Sequence, residues 1–331
     1  MQFIKKLTAS VLLLTFSFII TACTHNVEPT QDKTEVKIST LKGPTGMGMV
    51  KLIEDDENNN TDNNYTFSLA SSPDEISASV LKSEPDIAAV PVNLAAVLYQ
   101  KTQGQYVVCG INTLGVLYML DTSGQIQTVE DLRGKTIYAT GQGATPEYIL
   151  RYILSKNGID PDKDVTIEFK SEHAELATLM STGQIQIALL PEPNVTTTLA
   201  NTQNARIALD MTKEWDSITD DNSTLIQGCI IAKKDFLNEH KAAYQTFLQE
   251  YQKSVDYVNT DISSASAAIE KHGIVPKASI AEKAIPNCNI TLLIGDEMQT
   301  KLKPFIDILY QYNHKSVGGT LPDANFYYLE K

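Results

Sequence analysis

The stretch Val36-Lys-Ile-Ser-Thr-Leu-Lys-Gly-Pro-Thr-Gly-Met-Gly48 runs from a β-rich segment through a glycine-rich turn into an apolar, helix-like segment. The stretch Thr136-Ile-Tyr-Ala-Thr-Gly-Gln-Gly-Ala-Thr145 has the same order of features, and a helix is predicted directly after it, over residues 146–157. Short β-rich runs alternate with amphipathic helical patterns along the rest of the chain. This alternation predicts an α/β fold with mixed, mainly parallel sheets.

The two stretches lie one hundred residues apart, and the offset holds over a longer region. Residues 36–91 and 136–191 align without a gap and share small or turn-forming residues at the predicted strand ends: Thr40/Thr140, Gly43/Gly143, Thr45/Thr145, Ser71/Ser171 and Pro91/Pro191. Two copies indicate two lobes built on one plan, since a solenoid needs at least three copies.

Each glycine-rich turn is predicted to bind part of a ligand. The turn follows the carboxyl end of a strand and opens a helix, where unpaired backbone N–H groups and the helix dipole attract an anionic or carbonyl-like group. In the second turn we expect Thr145 to cap the helix and Pro146 to take its first position. The alternative is that both stretches are ordinary tight turns.

Other predicted loops carry further candidate residues. Ser72 begins a Ser-Pro-Asp-Glu capping box, so Ser71 and Ser72 either cap a helix or contact a ligand. Asn93 follows a buried strand and is predicted to cap a helix over residues 94–102. Glu192 also follows a strand, at the edge where α/β proteins bind ligands. It either receives an amine or a ring N–H, or it caps the next helix or joins a salt bridge there.

Composition excludes several classes of function. The 331 residues include 27 Lys and Arg against 40 Asp and Glu, and a net charge of −13 opposes nucleic-acid binding. Only three arginines occur, Arg133, Arg151 and Arg206, which limits bidentate clamps for carboxylate or sulfonate groups. No metal or cofactor is expected, because the acidic stretch 54–62 lacks the EF-hand glycine and terminal glutamate and no C-x-x-C occurs.

The scattered histidines argue against an enzyme, and the single tryptophan is interpreted separately. Five histidines are scattered without a pair at metal-ligand spacing, so catalysis is disfavoured, although receptor-like folds also host enzymes of pyrimidine and cofactor metabolism. We expect His173 to open a helix on the exposed surface. Trp215 is interpreted as a surface anchor, and the alternative is an aromatic residue at a pocket rim.

The first 34 residues are predicted to be a targeting signal followed by a flexible tether. Lys5 and Lys6 precede an apolar run that ends in Ile-Thr-Ala-Cys23, which resembles a bacterial lipobox. Residues 1–22 are therefore predicted to be a lipoprotein signal peptide, Cys23 the lipid-attachment residue, and residues 23–34 a flexible tether. The alternative is an ordinary signal peptide. Cys109, Cys229 and Cys288 then remain, and the sequence leaves open whether two of them pair.

Several motifs together resemble one family. They are Lys-Gly-Pro-Thr-Gly-Met-Gly (42–48), Ser-Pro-Asp-Glu-Ile (72–76), Asp-Ile-Ala-Ala-Val-Pro (86–91), Asp-Leu-Arg-Gly-Lys-Thr-Ile (131–137) and Leu-Leu-Pro-Glu-Pro (189–193). With the lipobox, they resemble type II solute-binding proteins of ABC importers, in the broad NMT1/SsuA-like group of nitrate, sulfonate and taurine receptors that also contains binders of thiamine precursors.

The resemblance implies a two-lobed Venus flytrap fold with two hinge strands. Lobe 1 would comprise residues 35–117 and 227–331, lobe 2 residues 118–226, and the hinge crossings would lie near 113–122 and 223–232. A ligand closes the two lobes, and a membrane permease with its ATPase reads the closed form. The protein would be a monomer on the extracytoplasmic face of the membrane. A ligand-sensing module without a transporter is the alternative that the sequence leaves open.

Site residues follow from the resemblance position by position, and they are Lys42, Gly43, Pro44, Thr45, Gly46, Met47, Ser71, Ser72, Asn93, Thr113, Gly141, Gln142, Gly143, Ala144, Thr145, Glu192 and Gln227. Sulfonate-binding members use a pocket arginine, and none of the predicted loops here supplies one. A small polar or heteroaromatic solute is therefore expected rather than an inorganic oxyanion.

Overall fold

The computed structural model describes residues 33–219 and 223–329. The predicted signal peptide, the lipid-attachment residue Cys23 and most of the predicted tether lie outside the described residues. The residues from Thr34 onward form one compact unit.

The strands alternate with helices, as the sequence pattern predicts. The strands are β1 (Glu35–Leu41), β2 (Asn64–Ala70), β3 (Ile87–Pro91), β4 (Tyr106–Leu114), β5 (Leu117–Asp121), β6 (Thr136–Ala139), β7 (Thr166–Phe169), β8 (Ile187–Pro191), β9 (Arg206–Asp210), β10 (Ile226–Lys233) and β11 (Ile290–Leu293). The helices are α1 (Pro44–Met47), α2 (Val50–Glu57), α3 (Pro73–Leu81), α4 (Val92–Lys101), α5 (Thr145–Lys156), α6 (His173–Ser181), α7 (Asn194–Asn201), α8 (Met211–Asp216), α9 (Lys234–Glu239), α10 (Lys241–Thr260), α11 (Ile262–Lys271), α12 (Ala278–Ala284) and α13 (Gly295–Tyr312). Short 3-10 turns cover Val129–Leu132, Ile285–Asn287, His314–Val317 and Ala324–Phe326.

The described strands form two mixed sheets. The first sheet has the order β11-β4-β10-β3-β1-β2, and the second has the order β7-β6-β8-β5-β9. Among the named strands, parallel pairing is confined to β1 with β2 and β3, and to β6 with β7 and β8. The remaining neighbours pair antiparallel, so the parallel part of each sheet is smaller than the sequence prediction implied.

The one-hundred-residue repeat is confirmed by this pairing. The strand β1 lies between β2 and β3, and β6 lies between β7 and β8 in the same arrangement. Ile38 pairs with Ile87 in the first sheet, and Tyr138 pairs with Ala188 in the second. Each copy is therefore a β-α-β-α-β unit whose parallel strands end at one edge of its sheet.

The chain passes from one sheet to the other at two places. The first passage leaves β4 at Leu114 and enters β5 at Leu117, so this connection consists of Gly115 and Val116. A Cβ at Gly115 would lie 2.0 Å from Thr212 Oγ1, so any other residue there would require the Thr212 side chain to shift. The return passes between β9 and β10.

The long C-terminal helices bury one face each. In α13 the buried residues Met298, Leu302, Phe305 and Leu309 recur at helical spacing. Burying one such side chain stabilises the fold by about 1.5–3 kcal/mol. None of the described helices has the length and apolarity that a membrane span requires.

The single tryptophan and the three described cysteines all lie in the core. Trp215 is fully buried, with ring centroids 4.9 Å from Tyr152 and 5.2 Å from Phe305, so its interpretation as a surface anchor is wrong. Its polar neighbours Lys213, Glu214 and Asp216 concealed the buried side chain in the sequence. Cys109, Cys229 and Cys288 are all buried and free, and burial raises the pKa of each thiol.

Candidate ligand-binding cleft

A cavity of about 390 Å³ is lined by residues of both sheets and the loops that follow their strands. Its walls are Leu41, Lys42, Gly43, Pro44, Thr45, Ser71, Pro73, Pro91, Thr113, Val116, His173, Pro191, Glu192, Pro193, Asn194, Gln227, Gly228, Ile274, Val275 and Pro276. The carboxyl ends of β1, β3 and β8 meet here, where α/β proteins bind ligands. A pocket of this volume, mainly apolar with a few convergent polar groups, is typical of a small-molecule site.

The first glycine-rich turn forms one wall of the cavity. Lys42, Gly43, Pro44 and Thr45 line it, as the sequence predicts for a binding turn. Gly43 has a φ of 93°, which favours glycine because a Cβ there would be strained. Its carbonyl oxygen accepts hydrogen bonds from the amides of Gly46 and Met47, at 3.0 and 2.9 Å.

Those two bonds engage the backbone amides of Gly46 and Met47 within the turn itself. Both residues are buried, and neither lines the cavity. Gly46 packs so closely on the preceding strand that a Cβ would lie 2.4 Å from the carbonyl oxygen of Leu41. The placement of these two residues therefore supports the turn rather than ligand contact.

Thr113, Gln227 and Gly228 form the wall between the strands β4 and β10. Gly228 leaves room for its neighbours, since a Cβ there would lie 2.9 Å from Thr45 Cγ2 and 2.7 Å from Asn112 Oδ1. The Gln227 Nε2 atom is buried and makes no hydrogen bond to any described residue. A buried donor without a partner is costly, so a ligand acceptor at this point would be stabilising.

The second glycine-rich turn does not line the cavity. Gly141, Gln142, Gly143, Ala144 and Thr145 are all absent from its walls. The Gly143 amide donates to Glu147 Oε2 at 2.7 Å, and Tyr148 Oη donates to the Gly143 carbonyl oxygen at 3.3 Å. Residues of its own helix therefore close this turn.

Thr145 makes a different contact from the predicted cap. Its hydroxyl donates to Asn93 Oδ1 at 2.7 Å, and both side chains are buried. The N-cap of α5 is Ala144, which has no side-chain oxygen to offer, so the capping prediction for Thr145 is wrong. Asn93 also does not cap α4, because it lies inside the first turn of that helix. The bond joins the helices that follow β3 in the first sheet and β6 in the second.

Glu192 lines the cavity and also caps a helix. Thr196 donates to its carboxylate from the backbone amide and from the hydroxyl, both at 3.0 Å, and Asn287 contributes a further side-chain hydrogen bond. Burial raises the pKa of the Glu192 carboxyl, and these hydrogen bonds oppose that rise. Tyr118 Oη donates to the Asn287 carbonyl oxygen at 3.1 Å, so Asn287 is held from two sides.

The two serine candidates, predicted either to cap a helix or to contact a ligand, differ in their placement. Ser71 lines the cavity, whereas Ser72 does not. Ser72 is the N-cap of α3, where its hydroxyl accepts from the Glu75 amide at 3.4 Å. The Glu75 carboxylate accepts from the Ser71 amide at 2.7 Å, rather than from the Ser72 amide that a standard capping box uses.

His173 is a cavity residue that the sequence analysis missed. It opens α6, as predicted, but it is half-buried and lines the cavity. Its Nδ1 atom lies 2.7 Å from the Thr140 hydroxyl. The repeat could have identified it, because His173 occupies the position of Pro73, and Pro73 also lines the cavity.

The cationic side chains near the cavity are few. Lys42 is the only lysine or arginine among the lining residues, and it is exposed. The three arginines pair with carboxylates elsewhere: Arg133 with Asp164 at 2.6 Å, Arg151 with Glu147 at 2.7 Å and Arg206 with Asp121 at 3.0 Å. No cluster of three His, Cys, Asp or Glu side chains suited to a metal ion occurs in residues 33–219 and 223–329.

Comparison with known proteins supports the assignment of fold. A family model described as NMT1/THI5 like matches residues 94–261. An ABC transporter structure from Parabacteroides distasonis superimposes with a TM-score of 0.76 at 24% identity, covering 90% of this chain and 100% of that one. No curated protein sequence matches the chain.

Two further structures share the fold. The periplasmic aliphatic sulphonate binding protein SsuA from Escherichia coli has a TM-score of 0.69 at 15% identity, with 84% of this chain and 87% of that chain covered. The periplasmic nitrate-binding protein NrtA from Synechocystis has a TM-score of 0.59 at 11% identity, with 88% and 83% covered. The predicted two-lobed α/β fold is thereby confirmed.

Proposed function

Because the chain belongs to the NMT1/THI5 like family, we propose that it is the extracytoplasmic solute-binding component of an ABC importer. It traps a small polar or heteroaromatic solute between two lobes by hinge closure. The observation that carries this proposal is the cavity itself, whose walls come from the strand ends of both sheets. A solute that touches both sheets stabilises the form in which they are close together.

The lobes of the proposal are those that the family resemblance implies, with residues 35–117 and 227–331 in lobe 1 and residues 118–226 in lobe 2. The connection at Gly115 and Val116 is short, as a hinge strand requires, and Asn289 Nδ2 donates to the Gly115 carbonyl oxygen at 2.5 Å. Rotation about such a connection opens and closes the cavity without unfolding either sheet.

The polar lining residues are suited to binding rather than to catalysis. Glu192 is engaged by Thr196 and Asn287, and the hydroxyl of Thr45 donates to the Leu41 carbonyl oxygen at 3.3 Å. A catalytic nucleophile must be accessible to the substrate and within reach of a base. The Thr45 hydroxyl donates to a backbone carbonyl oxygen. The Thr140 hydroxyl lies 2.7 Å from His173 Nδ1, but it is buried and does not line the cavity. The proposal is therefore a receptor without enzymatic activity.

The partners follow from this role. A permease and its ATPase would receive the solute from the closed, monomeric receptor. Acylation of Cys23 would hold the protein on the extracytoplasmic face of the membrane, since two or three acyl chains anchor a protein stably. Metabolic labelling with a fatty acid tests this part: the wild-type chain should carry label in the membrane fraction, and C23S should not.

Mass spectrometry of small molecules released from the purified protein tests the binding role. We expect one solute at close to one molecule per chain, and calorimetry with that solute should give saturable binding. Q227A should weaken binding because it removes the unpaired donor in the cavity wall. L321A, a change at an exposed residue away from the cavity, is the control and should bind normally. Absence of any bound or bindable solute would refute the proposed function.

A further inference from the structure

His173 is held in a fixed orientation at the cavity wall. Thr140, itself almost fully buried at the end of β6, places its hydroxyl 2.7 Å from Nδ1. With Nδ1 engaged by the protein, Nε2 is the ring nitrogen that remains for a ligand. The imidazole is therefore oriented for one hydrogen bond to a molecule in the cavity.

The charge of the cavity wall opposes an anionic ligand. Burial lowers the pKa of His173, and the neighbouring Glu172 only partly offsets this, so the environment favours the neutral ring. Lys42 is exposed, the three arginines are paired elsewhere, and Glu192 adds a carboxylate. An oxyanion in this cavity would lose its hydration shell without gaining a buried cation, which is strongly unfavourable.

The remaining walls favour an apolar body with polar edges. Six prolines line the cavity with four aliphatic residues: Pro44, Pro73, Pro91, Pro191, Pro193, Pro276, Leu41, Val116, Ile274 and Val275. Gln227 also lines this space, and its buried amide nitrogen has no hydrogen-bond partner among the described residues. A solute with a flat or compact apolar surface and a hydrogen-bond acceptor fits these groups.

We propose that His173 is a ligand-binding residue and that the cleft selects an uncharged solute with an apolar body, rather than an oxyanion. This inference rests on the proposed solute-binding function. It separates the chain from the sulfonate- and nitrate-binding proteins that share its fold.

The first experiment identifies the charge of the captured molecule. The purified protein is stripped of bound molecules, dialysed against a bacterial metabolite extract, and the retained molecule is identified by mass spectrometry. Nitrate, sulfate and ethanesulfonate are titrated in parallel by calorimetry. An uncharged retained molecule together with silent anion titrations supports the inference. Retention of an anion, or saturable binding of any of the three anions, overturns it. Retention of nothing, with silent titrations, instead refutes the proposed function on which the inference rests.

The second experiment tests His173 itself with the retained molecule. H173A should raise its Kd by at least about tenfold, the loss of one hydrogen bond to a buried group. H173Q carries an amide near the position of Nε2 and should recover part of the affinity. H240A, a change at an exposed histidine outside the cavity, should leave the Kd unchanged. Equal affinity in wild type and H173A, with matching circular dichroism spectra, would rule out the proposed contact.

Discussion

The turns at Gly43–Thr45 and Gly143–Thr145 occupy equivalent positions in the two sheets, yet only the first one lines the cavity. Both turns follow a parallel strand, and both contain a glycine at positive φ, 93° at Gly43 and 74° at Gly143. Their backbone plan is therefore shared. The difference lies in the side chains that follow each turn.

The first turn is followed by Gly46, Met47 and Gly48, which offer no polar side chain to close it. The second is followed by Pro146, Glu147 and Tyr148, and the last two hydrogen-bond back to Gly143. An internal repeat thus preserves the strand and turn geometry, while local side chains decide which copy stays open to a ligand. Copying a site by symmetry from one lobe to the other is unsafe for this reason.

The largest expected effect comes from changing the residue after each turn. G46A places a Cβ 2.4 Å from the carbonyl oxygen of Leu41, so the first turn must shift. We expect a loss of about 1–3 kcal/mol in the free energy of unfolding, together with weaker solute binding. Urea denaturation and calorimetry measure the two effects.

The matched change in the second turn is P146A. The second turn already holds a side chain at this position, so the expected loss is only about 0.4–1 kcal/mol, through the greater freedom of the unfolded chain. Solute affinity should stay close to that of wild type. Equal losses of stability in G46A and P146A would show that the two turns are packed alike, and the proposed difference between them would be wrong.

A smaller effect is expected from the threonine pair. T145V removes the hydroxyl that donates to buried Asn93, a hydrogen bond between the helix α5 of one lobe and the helix α4 of the other. If this bond stabilises the closed form, its loss should reduce the free energy of solute binding by about 1 kcal/mol, which is about fivefold in affinity. T45V removes a longer bond to Leu41 within one sheet, so its effect on stability should be smaller.

A double-mutant cycle sharpens this contrast. N93A should add little to T145V because the two side chains share one hydrogen bond, whereas N93A and T45V should be additive. If N93A and T145V were additive in solute affinity, the bond between the two sheets would not contribute to closure.

The fold could be predicted from the sequence because its signals are local and repeated. Strand, turn and helix follow one another in the same order in both copies, and Gly43 and Pro146 mark where chain direction changes. The same local signals drew attention to the first turn, which lines the cavity; its contact with a ligand stays a prediction. Capping by Ser72 and by Glu192 was one of the alternatives that the local sequence indicated.

Other features depend on contacts between distant residues, which local patterns do not encode. Thr145 bonds Asn93, fifty-two residues away, and that partner overrides the local capping preference. Trp215 meets Phe305 across ninety residues, so its polar sequence neighbours were misleading. His173 acquires its role because Thr140 lies at the adjacent strand end, and sheet order alone brings the two together.

The smallest expected effect is a change in the pH dependence of stability. It comes from Glu192, an acidic residue at the position that the apolar Val92 occupies in the first copy. Burial raises the pKa of Glu192 above the 4.5 of an unfolded glutamate, so the folded protein binds more protons than the unfolded chain in the window above pH 4.5. The free energy of unfolding therefore falls as pH rises from 4.5 through the folded-state pKa, and this contribution is constant above it.

E192Q should remove that slope, and urea denaturation of both proteins between pH 4 and 8 measures it. E175Q, at an exposed position on α6, is the matched control and should keep the wild-type slope. A slope that persists unchanged in E192Q would mean that the hydrogen bonds from Thr196 and Asn287 cancel the effect of burial on the pKa of Glu192.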